Sequence, residues 1–136
     1  MRLALVEEFV RDLRRRYKLR ELSYDPSYFG GSAETLEHEG IVTVEFLPFS
    51  APMRVAWQAF YQAAVEGKIT HDRDPVLAAH VDAAAADRTE AGWKIRKLKS
   101  TSRIDALAAA VMAHARTQIN TTTGRSGPQI FWLGLH

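Results

Sequence analysis

Cysteine is absent from this 136-residue chain, which removes disulfide frameworks, thiolate nucleophiles and zinc–thiolate centres from the reading. Excess charge of either sign is missing too: 18 basic against 16 acidic side chains leave a formal +2, too little to argue for or against nucleic acid. With no cysteine an intracellular protein fits, and Glu7, Glu8, Arg11 and Asp12 interrupt the apolar pattern of the first residues, so neither a signal peptide nor a membrane span is expected. Several catalytic signatures are also lacking. There is no Gly-x-x-x-x-Gly-Lys-Ser/Thr to cradle a nucleoside triphosphate and no Gly-x-Gly-x-x-Gly for a dinucleotide. No Gly-x-Ser-x-Gly nucleophile turn appears, nor does the His-x-x-x-His spacing of zinc proteases. Gly124-Arg125-Ser126-Gly127 reads as turn residues.

What is present is an apolar fraction of 46%, with 25% charged residues, enough for one compact domain. Leu3, Val6, Phe9, Val10, Leu13 and Tyr17 repeat at helical spacing. The outer side of that helix carries Arg11, Arg14, Arg15, Lys18 and Arg20, which reads more readily as a solvated face than as a phosphate contact. A short strand ends at Asp25, a helix follows to about Glu39 and is closed by Gly40, and residues 41–47 alternate as a strand with Val42, Val44 and Phe46 on one side. Ser50 and Pro52 open a third helix, carrying Val55, Trp57, Phe60, Tyr61 and Val65, that stops at Gly67. Residues 68–71 read as strand, Asp74-Pro75 caps a helix to roughly Ala86, and residues 93–97 read as another strand. A last helix from about Arg103 to Gln118 carries Ile104, Leu107, Ala108, Val111, Met112 and Ala115 on one stripe. A Thr/Gly/Ser-rich tail then precedes an apolar patch at residues 130–133. Helices and strands alternating without repeats predict an α/β domain.

Two aspartates stand where a nuclease would put metal ligands: Asp25 at the end of a strand and Asp105 in the first turn of a helix. Carboxylates so placed suit a hard divalent cation, which binds oxygen. Each also has an ordinary explanation. Ser102-Arg103-Ile104-Asp105 matches a capping box, with the acid well placed against the helix dipole, and Asp25-Pro26 favours a turn. Asp74 is accounted for by capping and His71 by surface exposure, although His71 and His80 are ligand types.

Taken together, three segments resemble the C-terminal nuclease part of the large terminase subunit of tailed bacteriophages. They are Tyr24-Asp25-Pro26 after a strand, the segment from Gly67 through His71 and Asp74-Pro75 to His80-Val81, and Arg103-Ile104-Asp105-Ala106-Leu107-Ala108. Phe49-Ser50-Ala51-Pro52-Met53 also fits, so the likeness spans about residues 1–116. It implies an RNase H-like α/β fold over residues 1–118, followed by a tail over 119–136. It further implies a metal-dependent endonuclease that uses two magnesium or manganese ions to cut concatemeric double-stranded DNA during packaging. Asp25 matches the family's second carboxylate and Asp105 its third. Lys97, Lys99 and Arg103, with His71 and His80, are the implied substrate-binding residues. The implied partners are DNA, the rest of the large subunit, the small terminase subunit and the portal protein, in the host cytoplasm and with no membrane.

Two departures accompany the likeness. Val81-Asp82-Ala83-Ala84 lacks an asparagine that often follows the His-Val pair. The family's first carboxylate belongs to an early strand with no counterpart ahead of the opening helix, so the chain is expected to be a terminase piece, of prophage origin or from a split gene, lacking its first strands and its packaging ATPase. Two competing expectations remain: a catalytically inactive remnant or packaging-associated module that binds DNA or protein, and an unrelated α/β protein whose acids are caps and turns.

Overall fold

The computed structural model describes residues 2–122. In chain order they form α1 (Leu3–Arg16), β1 (Leu22–Tyr24), α2 (Pro26–His38), β2 (Thr43–Glu45), α3 (Ala51–Val65), α4 (Pro75–Asp82), β3 (Ala84–Thr89), β4 (Gly92–Lys97) and α5 (Asp105–Thr122). The mixed α/β class is therefore as expected. The chain divides into two compact units, Met1–Pro48 and Phe49–His136.

In the first unit β1 and β2 pair in parallel, Leu22 opposite Thr43 and Tyr24 opposite Glu45. Parallel neighbours need a crossover connection, and α2 is that crossover. It starts where the Asp25 carboxylate accepts the Ser27 N–H at 2.9 Å with Pro26 in the first turn, a capped and φ-restricted beginning. It ends two residues before Gly40, whose φ of +83° an L side chain rarely adopts. Val10 of α1, Leu36 of α2 and Ile41 form the buried centre, with Leu19, Leu22 and Phe29 packed on it.

The second unit is built on α3 and α5. Ser50 caps α3 by accepting the Met53 N–H at 3.2 Å, and Gly67, at φ +68°, follows its end. Met53, Ala56 and Ala63 from α3 and Leu107, Ala110 and Val111 from α5 are buried. Phe60 meets the His114 ring edge-on at 5.6 Å, and Tyr61 stacks on Trp93 of β4 at 5.3 Å. β3 and β4 form an antiparallel hairpin, Ala84 opposite Lys97 and Thr89 opposite Gly92.

Several local expectations are corrected. Residues 68–71 form no strand; Ile69 is half-buried in a stretch that is otherwise exposed, and no strand among the described residues pairs with it. The helix opened by Asp74 stops at Asp82 rather than near Ala86, because Ala84, Ala85 and Ala86 are taken into the hairpin. Cross-strand pairing there outweighs alanine's helix preference. On α3 Val55, Tyr61 and Val65 are exposed, while Met53, Ala56 and Ala63 are buried. Val42 is exposed although Ile41 and Phe46 are buried, since only residues 43–45 are regular strand. α5 runs on to Thr122. The apolar patch at residues 130–133 lies outside the described residues.

Candidate active site

Asp25 follows directly on β1, at the C-terminal edge of the parallel pair, where α/β sheets commonly present their functional groups. One of its oxygens, Oδ1, accepts the Ser27 N–H at 2.9 Å. The side chain is half-buried, and Oδ2 has no protein partner among the described residues. Its turn-forming and capping explanation is therefore real, but it uses only part of the carboxylate. Glu45 ends β2 at the same edge, opposite Tyr24, and accepts a long 3.4 Å hydrogen bond from the Tyr24 hydroxyl. Partial desolvation, and then the negative charges of Glu45 and Glu37, push the Tyr24 phenol above its ordinary pKa. Glu45 was not singled out from sequence. Its position as the last acid of an alternating strand was the available signal.

Asp105 belongs to the second unit. It is the first residue of α5, exposed, with no hydrogen-bond or ion-pair partner among the described residues. The capping box proposed for Ser102 and Asp105 does not form. The Ala108 N–H donates to the Ile104 carbonyl at 2.9 Å, so Ile104 sits at the N-cap, Asp105 is one residue inside it, and Ser102 lies outside the helix. A different side chain supplies the missing acceptor: the Ala106 N–H donates to Nδ1 of His80, on α4, at 2.9 Å. The bond requires the neutral ring to carry its proton on Nε2. An acid in the first turn also gains from the helix dipole.

The segment leading to His80 is organised by its own side chains. His71 Nδ1 accepts from the Arg73 N–H at 3.1 Å and Asp72 Oδ1 from the Asp74 N–H at 3.2 Å, with Arg73 at φ +64°. Asp74 then caps α4, accepting from Val76 at 2.7 Å and Leu77 at 3.0 Å. His71 thus serves a turn and remains exposed, as its ordinary reading held.

Lys97 ends β4, and Lys99 and Arg103 lie on the connection from it to α5. All three are exposed and unpaired among the described residues. The basic face of α1 differs. Arg11 is bound by Glu7, Glu8 and Glu39, Arg15 by Glu8 and Asp12, and Arg16 by Asp12. Its hydrogen bond from Arg11 holds Glu39 below the usual carboxylate range. Such exposed pairs add little stability; Arg14 instead donates to the Glu39 carbonyl, and Lys18 and Arg20 lie beyond the end of α1.

Among the described residues no three His, Asp or Glu side chains gather in a metal-binding group, and no helix is long and apolar enough to cross a membrane. Comparison with known proteins finds no match among curated proteins or solved structures. A family model described as "Terminase large subunit, endonuclease domain" matches residues 3–120.

Proposed function

The chain belongs to the terminase large-subunit endonuclease family, and from that premise we propose that it is an RNase H-like nuclease piece that cuts concatemeric double-stranded DNA during phage genome packaging in the host cytoplasm. The family match, over residues 3–120, is the observation that carries the reading. Asp25 and Asp105 are the proposed ligands of magnesium or manganese. Their donor chemistry fits: both are carboxylates with an oxygen not committed to another protein group, and hard divalent ions prefer oxygen. The family match over residues 3–120 covers both aspartates and supports assigning them the same chemistry.

Bound ions of this kind activate water and neutralise charge at the leaving oxygen. The protein's own contribution is to bind and orient. Lys97, Lys99 and Arg103, free of acidic partners among the described residues, hold the backbone phosphates as point charges or a guanidinium fork. His71 and His80 are further proposed substrate contacts, through ring atoms not already engaged. The partners of this activity are DNA, the remainder of the large subunit, the small terminase subunit and the portal protein.

A manganese-dependent nicking assay on supercoiled plasmid tests the reading. Cleavage, alone or with the remainder of the large subunit, should depend on both aspartates. A second reading is an inactive, packaging-associated module that binds DNA or protein. DNA binding without any cleavage in the reconstituted system would select it.

A further inference from the structure

We propose that His80 is a positioning residue for Asp105, acting through the first turn of α5; this rests on the proposal that Asp105 is a metal ligand. The Ala106 N–H, immediately after Asp105, donates to His80 Nδ1 at 2.9 Å from 26 residues away in sequence. A helix leaves its first N–H groups without intrahelical partners, and a local Ser, Thr, Asp or Asn ordinarily accepts from one of them. Here the N-cap is Ile104, whose side chain has no acceptor, and His80 takes that part from another helix.

The substitution has a chemical consequence. A first-turn aspartate that folds back onto backbone N–H groups gives up lone pairs that a cation would need. With Ala106 satisfied by the imidazole, the Asp105 carboxylate remains exposed and without a protein partner among the described residues. The imidazole is itself held in place. Asp74 secures the start of α4 with two hydrogen bonds, at 2.7 and 3.0 Å, and α4 packs against α5. Asp74, α4 and His80 thus form a brace that fixes the direction in which α5 begins. Partners that orient ligands from outside the coordination shell commonly change metal affinity by about 10–100-fold.

The test uses the full chain, manganese alone as probe, and two substitutions. His80→Ala removes the acceptor. His80→Asn restores it, because asparagine Oδ1 stands the same number of bonds from the backbone as histidine Nδ1, but supplies nothing in place of Nε2. Two NMR readouts are followed: hydrogen exchange of the Ala106 amide, and the manganese concentration that half-broadens signals around Asp105. Dispersion of the signals from the Phe60–His114 contact verifies the fold of each variant. His80→Ala should speed Ala106 exchange and raise the half-broadening concentration about tenfold, and His80→Asn should bring both back towards wild type. Faster exchange with an unchanged manganese response would reduce His80 to a structural cap and overturn the proposal. An Asn variant as impaired as the Ala variant would overturn it differently, by assigning the effect to Nε2. Asp105→Asn separates this inference from its premise: a wild-type manganese response in that variant sinks the metal reading itself.

Discussion

The Asp25 carboxylate caps α2 through Oδ1 and is the proposed cation ligand, and substitutions can take the two roles apart. Asparagine is as good an N-cap as aspartate, whereas alanine costs about 1 kcal/mol. Asp25→Asn should therefore leave the urea midpoint nearly unchanged, and Asp25→Ala should lower it. If the carboxylate holds a cation, both variants lose the rise in melting temperature that manganese gives the wild type. The double variant Asp25→Asn/Asp105→Asn should retain or exceed wild-type stability without metal and show no response to manganese. An undiminished response would place the ion elsewhere. His114 offers a second test at this scale. Its Nδ1 is buried without a hydrogen-bond partner among the described residues, and burial holds its pKa below the ordinary 6.5. The unfolded chain therefore takes up the proton more readily than the folded one. Stability should be level above about pH 6.5, fall as pH drops through that value, and level off again below the folded pKa. Urea titrations from pH 7.5 to 5 should show this slope, reduced in His114→Leu; an equal slope in the variant would assign it to other groups.

At the scale of elements, the β3–β4 hairpin is the plainest case of tertiary pairing overriding local preference. Its turn depends on Gly92, at φ +107°, with the Thr89 hydroxyl donating to the Gly92 carbonyl at 2.7 Å. A Cβ at Gly92 meets nothing within 4 Å, so the cost of Gly92→Ala is conformational, about 1–2 kcal/mol. It should appear as faster amide exchange along Ala84–Thr89 before any global loss of stability; unchanged exchange would mean the turn relaxes freely. The same hairpin marks the limit of what the chain discloses locally. The caps Ser50 and Asp74 were legible because they act on N–H groups two or three residues away, whereas Asp25 was read only as starting a turn. Gly40 and Gly67 were legible too, since their positive φ closes a helix within the segment itself. The alanines after Asp82 were misread because only Trp93 to Lys97, distant in sequence, makes them a strand. Asp105 could be recognised as a first-turn acid. What frees it from capping could not, since the histidine that replaces it belongs to another helix.

For the whole molecule, the division into Met1–Pro48 and Phe49–His136 puts the two proposed ligands on separate units, and that gives the metal proposal its sharpest consequence. Two ions roughly 3.5–4 Å apart need several bridging and flanking oxygens, and Asp25 and Asp105 alone supply few of them. We therefore expect the purified chain to bind manganese weakly and to nick DNA slowly or not at all. Among the described residues of the first unit each strand of the two-stranded ladder is paired on one side only, and a sheet of two strands is marginal in water. Concentration-dependent association in sedimentation runs should accompany the weak activity. A large-subunit segment offering a further strand and a further carboxylate, added in trans, should suppress that association and raise manganese-dependent nicking together, because the same strand would cover the edge and complete the ligand set. In that reconstituted system, Asp25→Asn and Asp105→Asn should each abolish cleavage, and the double variant should be no worse than either. Residues acting as one catalytic unit are non-additive in this way. Two losses that multiply would mean that the carboxylates serve separate roles. Rapid cleavage by the monomeric chain alone, lost in Asp105→Ala, would show that its own residues complete the centre, with Glu45 or Asp72 the first candidates to substitute.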